Sequence, residues 1–369
     1  MPSTLIITND FPPRIGGIES FLNDVCTLLN HDVVVYASGS ADAAASDRDR
    51  PFPVIRDGPL LLPTPRVATR AAALLKESGA TRVIFGAAAP LGLLAQGLRR
   101  AGARHILGLT HGHEIWWAQL PGARRLLRRI GDSCDHLTTI SGYSERRIAS
   151  ALSGSAQRRL VRLAPPVDMQ GFRPQMRAVC KTRRCIAVAR LIPQKGVETL
   201  LRAWRIVLDQ NSRNGARLEL IIVGDGPLRR RLERRIRELE LSDYTRLLGA
   251  LPRAAVISQL QQADVFALPM RTRLAGLNPE GLGLAALEAA ASGLPVIVGD
   301  SGGAPETVRD GETGFVVPSD DHALLAERLM LLLNNPSLAQ EMGARGRQHV
   351  ATHFSTEVAR ARLREVLDL

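Results

Sequence analysis

The most constraining feature of this 369-residue chain is a pattern that occurs twice. Short β-branched runs alternate with longer amphipathic stretches: "TLIITND", "DVVVYAS", "RVIFGAA" and "HLTTIS" before residue 170, then "CIAVAR", "LELIIVGDG", "TRLLGAL", "DVFALPM", "LPVIVGD" and "GFVVP". Strands separated by helical segments build parallel sheet with helices on both faces. Between the sets lies "LAPPVDMQGFRPQMR", whose three prolines and missing periodicity read as a linker. We expect an α/β protein of two Rossmann-like domains, residues 1–165 and 166–353, facing across a cleft. Ligands of open α/β sheets bind beyond the carboxyl ends of the strands, so functional residues should follow strands.

Composition narrows the partners. With 45% hydrophobic and 23% charged residues the chain is globular. It has no run of about eighteen uncharged apolar residues for a transmembrane helix. "MPSTLIITNDFPP" lacks a basic n-region, so no signal peptide is expected and the protein should stay in the cytoplasm. Cys26, Cys134, Cys180 and Cys185 form no CxxC pair and no zinc-like spacing, and read as buried or idle thiols. The net charge of +12 favours an anionic partner. An aromatic content of 4% leaves few platforms for stacking bases, and no nucleic-acid-binding signature is present, so no nucleic acid is expected.

Several motifs follow strands. Gly16-Gly17 leads into a helix, where close amides and the helix dipole suit an anion, though a tight turn has the same sequence. "VGDGP" has GxG at Gly224 and Gly226 but Arg229 where a dinucleotide site needs its third glycine, which disfavours a nicotinamide enzyme. The arginines that follow, with Glu233 and Glu238 interleaved, read as a solvated face. Arg190 ends a strand and Lys195 follows five residues later, before a helix; a planar fork and a mobile point charge there suit a diphosphate, though two surface cations near a loop would have the same sequence. "DRD" at Asp47–Asp49 lies in an Ala/Asp tract read as a loop, where solvated charges explain it and no metal is expected. His111 and His113, with Glu114, follow an apolar run and could donate to sugar or phosphate oxygens. Downstream, Arg124, Arg125, Arg128 and Arg129 cover one arc of a helix opposite Leu126, Leu127 and Ile130, with Trp116 and Trp117 just before. That pattern suits an anionic membrane surface, and equally an ordinary surface helix packed by its apolar side.

Glu280 and Glu288 stand in an otherwise Gly/Ala/Leu segment whose helix is expected to start at Gly281 to Gly283. Eight helical residues span about 12 Å, so the two carboxylates cannot share a proton. They could hold the ends of an elongated ligand while the amides of Gly281, Leu282 and Gly283 face its middle.

Together, Glu280-x7-Glu288, Arg190-x4-Lys195, the Gly16-Gly17 loop, "VGDGP" and "SGGAPETVRDGETGFVV" resemble the retaining GT-B glycosyltransferases of family 4, nearly from end to end. The resemblance implies an N-terminal acceptor domain and a C-terminal nucleotide-sugar domain, with a last helix at about residues 354–369 crossing back. It also implies that Glu288 binds the ribose, Glu280 the transferred sugar, and Arg190 and Lys195 the diphosphate. His111 would face the sugar and main-chain groups near Leu251 would hold the base. More narrowly, "TNDFPPRIGGIESF", "LTHGHEIWW", "RTRLAGLNPEGLG" and "SGGAPET" are similar to the GDP-mannose-dependent mannosyltransferases that add the second mannose to phosphatidylinositol monomannoside in actinobacteria. That likeness implies GDP-mannose as donor without a metal cofactor, a lipid acceptor, an α-1,6 linkage and peripheral attachment to the inner face of the plasma membrane. The basic, tryptophan-flanked helix agrees with an acceptor in an anionic leaflet.

Overall fold

A computed structural model describes residues 3–14, 16–40, 43–175, 182–211 and 217–369. The chain divides into two compact units, Met1–Pro166 with Thr356–Leu369, and Val167–Ser355.

Among the described residues the first unit carries seven strands: β1 (Thr4–Thr8), β2 (Val33–Ala37), β3 (Val54–Arg56), β4 (Arg82–Phe85), β5 (His105–Leu109), β6 (His136–Thr139) and β7 (Leu160–Arg162). All pair in parallel, in the order β3-β2-β1-β4-β5-β6-β7. Helices cover both faces, so β1 and β2 are apolar runs buried throughout. Successive side chains of β1 enter opposite layers: Leu5 and Ile7 pack with Leu74 and Leu75, while Ile6 packs with Phe21, Leu22 and Val25. The last helix, Thr356–Val366, adds Ala359, Leu363 and Val366 to the Ile6 layer, so the chain's end belongs to this unit. Strand order reverses direction at β1 and β4, and the loops leaving them part there to form the crevice typical of such sheets.

The second unit repeats the design with β8 (Thr182–Val188), β9 (Arg217–Val223), β10 (Thr245–Gly249), β11 (Val265–Leu268), β12 (Val296–Gly299) and β13 (Gly314–Val317). Their parallel order is β10-β9-β8-β11-β12-β13, with the switch at β8 and β11. Gly196, in the left-handed region at φ 66°, marks how closely the loops after β8 and β11 approach, because a Cβ there would collide with the Pro269 carbonyl. That contact seats the Lys195 loop on the switch point.

Two expectations are corrected. The Ala/Asp tract is not a loop: Ala43–Arg48 is a helix, and Asp47 takes a two-pronged hydrogen bond from Arg56 at 2.9 and 2.8 Å, while Arg48 and Asp49 are exposed as solvated charges would be. Ala-rich sequence favours helix, and Arg56 at the end of β3 supplies the partner. Nor is "LAPPVDMQGFRPQMR" merely a linker. The Val167 N–H donates to the Phe354 carbonyl at 2.7 Å, Phe172 is buried, and Arg347 donates to the Met169 and Phe172 carbonyls at 3.0 and 2.7 Å. Its end, with Cys180, lies outside the described residues. Cys26, Cys134 and Cys185 are buried and unpaired, and burial pushes the Cys26 and Cys134 thiols up to about 12, which keeps them protonated. Among the described residues no helix is long and apolar enough to cross a membrane.

Candidate active site

In the second unit, polar groups gather at the carboxyl ends of β8, β11 and β12. Arg190 and Lys195 follow β8, Lys195 at the end of a single 3-10 turn, Pro193–Lys195. The Lys195 Nζ meets Glu280 Oε2 at 2.6 Å, and both side chains are largely buried. Glu280 is fixed by its backbone: its N–H donates to Ser301 Oγ at 3.1 Å and its carbonyl accepts from the Gly303 N–H at 2.9 Å. Gly302, at φ 59°, is required there, since a Cβ would strike the Glu280 carbonyl. Ser301 also exchanges a hydrogen bond with Thr272 at 2.9 Å. A lysine, a carboxylate and a glycine loop thus converge from three strand ends. Arg190 stands apart from this pairing: its side chain is exposed and engages no partner among the described residues.

The helix expected from Gly281–Gly283 begins later, at Leu284, and runs to Ala291. Gly283 caps it at φ 95°, which a helical residue cannot adopt. Glu280 therefore lies on a loop, and the rise of an eight-residue helix does not measure its distance from Glu288. Leu282 is buried, so its side chain is not available to a ligand. Glu288, on the helix, accepts from Arg253 at 3.5 Å. Arg253 also lies over the Phe172 ring, 4.7 Å from its centroid. The half-buried Leu251 sits two residues before Arg253, in the loop after β10. The sequence reading passed over Arg253 and Ser301, although each follows a strand end.

In the first unit, His111 follows β5. Its Nε2 donates to the carbonyl of Gly86, after β4, because a carbonyl only accepts. In the neutral ring Nδ1 is then an acceptor, so His111 can receive a hydrogen bond from a hydroxyl, where the sequence led us to expect it to donate one. Burial, outweighing Glu114, holds its pKa below the ordinary 6.5 and favours that neutral ring. Glu114 is fully buried and takes the His111 backbone N–H at 2.9 Å. His113 Nε2 lies 3.3 Å from the other Glu114 oxygen, and the two imidazoles stack at 6.2 Å. Phe21 meets His111 edge-on at 5.8 Å, which brings the helix opening at Gly17 against the histidine. Gly16 is the cap of that helix, with the Glu19 carboxylate lying beside it.

The basic helix, Pro121–Ser133, buries Leu127 and Ile130, whereas Leu126, which borders the arginine arc, is exposed. Arg124 and Arg128 reach the Ser150 and Ala151 carbonyls, while Arg125 and Arg129 have no side-chain partner among the described residues. Trp116 and Leu120 are exposed just before it, and Trp117 packs partly into the core.

Two doubly wound parallel sheets, with polar groups gathered beyond their strand ends, define the GT-B class of glycosyltransferases. Solved structures of the same fold include sucrose-phosphate synthase from Thermosynechococcus elongatus, with a TM-score of 0.79 at 20% identity over 99% of this chain and 98% of that one. Anabaena HepE in complex with UDP gives 0.81 at 17% identity over 99% of each chain. Residues 15–170 match the Glycosyltransferase Family 4 model and residues 170–349 the Glycosyl transferases group 1 model. The chain belongs to glycosyltransferase family 4. Its similar relatives include the GDP-mannose-dependent monoacylated alpha-(1-6)-phosphatidylinositol monomannoside mannosyltransferase of Corynebacterium glutamicum, 42% identical over 99% of this chain and 97% of that protein. The GDP-mannose-dependent alpha-(1-6)-phosphatidylinositol monomannoside mannosyltransferase of Mycolicibacterium smegmatis is 41% identical over 98% and 97%.

Proposed function

We propose that the protein transfers mannose from GDP-mannose to phosphatidylinositol monomannoside, retaining the anomeric configuration, at an anionic membrane surface. The observation that carries this reading is the full-length likeness to relatives of that activity. In the reaction the bond from the anomeric carbon to the diphosphate oxygen breaks, the acceptor oxygen bonds to the same face of the sugar, and its proton passes to the departing phosphate.

The charge that grows on the diphosphate is the main one to be stabilised, and Arg190 and Lys195 are assigned to it. Lys195, between Glu280 and the phosphates, would couple diphosphate and sugar recognition through the pair seen at 2.6 Å. Glu280 is assigned to mannose hydroxyls, Glu288 to the ribose, the backbone at Leu251 to guanine, and the amides of Gly16, Gly17, Gly281, Leu282 and Gly283 to the donor. His111 would accept from a sugar hydroxyl, with His113 beside it. The exposed Trp116, Leu120 and Leu126 beside Arg125 and Arg129 suit a bilayer interface, with Trp117, Arg124 and Arg128 supporting it.

Incubation with labelled GDP-mannose and phosphatidylinositol monomannoside should yield a labelled dimannoside. Hydrolysis alone, or a preference for UDP-sugars, would overturn the reading.

A further inference from the structure

Between β11 and Glu280 the chain makes a loop whose tip is unusual. Leu274 is 67% exposed, the most of any large hydrophobic side chain among the described residues, and its φ is 53°. A leucine pays in both respects, since its Cβ disfavours the left-handed region and its side chain gains nothing from water. Strain of this kind persists where the surroundings enforce it, and it gathers at ligand sites. Here the surroundings do enforce it. Arg273 and Asn278 exchange two backbone hydrogen bonds at 3.0 and 3.1 Å, and the Leu277 N–H closes on the Leu274 carbonyl at 3.1 Å. The base of the loop is tied to the site: Arg271 donates to the Gln194 and Pro193 carbonyls at 2.8 and 2.9 Å, and Thr272 meets Ser301 at 2.9 Å. Beside Leu274, the Arg273 side chain is exposed without a partner among the described residues.

We infer that Arg273 and Leu274 bind the phospholipid part of the acceptor, Arg273 its phosphodiester and Leu274 the glyceride beyond. This rests on the acceptor class proposed above. A nucleoside diphosphate or a mannose would use the cation but gives no role to an exposed leucine, whereas a phospholipid headgroup puts an anion next to apolar surface. In a phosphatidylinositol mannoside the phosphate sits on the inositol ring, close to the hydroxyls that accept sugar. The loop enters the site at Glu280, six residues after Leu274.

The test uses the full-length enzyme with the intact lipid acceptor and with its deacylated, water-soluble headgroup. Leu274→Gly should raise KM for the lipid about fivefold and leave KM for the headgroup unchanged, while Tm rises by about 2–4 °C as the strain is released. Arg273→Gln should raise KM about tenfold for both acceptors, the loss of one charge-assisted hydrogen bond. Donor affinity, read from the GDP-mannose thermal shift, should not move in either variant. Unchanged lipid KM in both variants, or an equal loss of donor affinity, would overturn the inference alone. A wild type inactive on both acceptors would overturn the proposed function and this pairing with it.

Discussion

The loop clusters at the strand ends of the two units handle charge in opposite ways. In the second unit a lysine and a carboxylate meet at 2.6 Å, held by a glycine loop, with a further arginine left exposed. In the first, burial keeps His111 neutral and its hydrogen bonds run to the Gly86 carbonyl and, through its backbone, to Glu114. On the proposed function this division is physical. Charge develops on the leaving diphosphate and needs fixed cations, whereas sugar hydroxyls need neutral partners of defined tautomer.

The comparison can be broken in several places. The largest effect is expected from Lys195→Met, which removes a cation from the diphosphate and leaves Glu280 an uncompensated, largely buried charge. We expect kcat to fall about 100- to 1,000-fold, with a lower Tm; unchanged steady-state kinetics would remove Lys195 from the site. His111→Ala in the first unit should cost less, about 100-fold in kcat/KM for transfer with little change in the GDP thermal shift. Equal losses of nucleotide affinity in both variants would erase the distinction between the units.

A smaller effect concerns pH. Burial holds His105 and His111 in the first unit and His349 in the second below the ordinary 6.5. The unfolded chain binds protons at these groups as pH falls through about 6.5 while the native state does not, so their stability is complete above that pH and declines below it. Between pH 7.5 and 5.5 Tm should drop by about 2–4 °C, and amide protection factors, corrected for the slower intrinsic exchange at the lower pH, should fall more in the first unit, which holds two of the three. Protection lost only in the second unit would contradict this.

Much of this was legible in the sequence, for identifiable reasons. Parallel strands buried on both faces are continuous apolar runs, and the rule that ligands sit beyond strand ends led to Arg190, Lys195 and His111. Pairing across distant loops was not legible: 85 residues separate Lys195 from Glu280, and only the crossing of the β8 and β11 loops joins them. The start of the Leu284 helix was misread because Gly281 and Gly283 can be helical or not, and the left-handed φ of Gly283 decides. Leu126 shows the limit of a helical wheel, which gives an arc but not the neighbour that covers it.

Arg190 offers the most direct test of the assignment of fixed cations to the second unit. Unlike Lys195, it has no partner whose loss would disturb the fold, so a change in rate reports on the reaction itself. The measurement is mannose transfer by Arg190→Ala at saturating GDP-mannose, with Tm recorded on the same sample. We predict kcat reduced about 100- to 1,000-fold at an unchanged Tm. A kcat within about twofold of wild type would contradict the account.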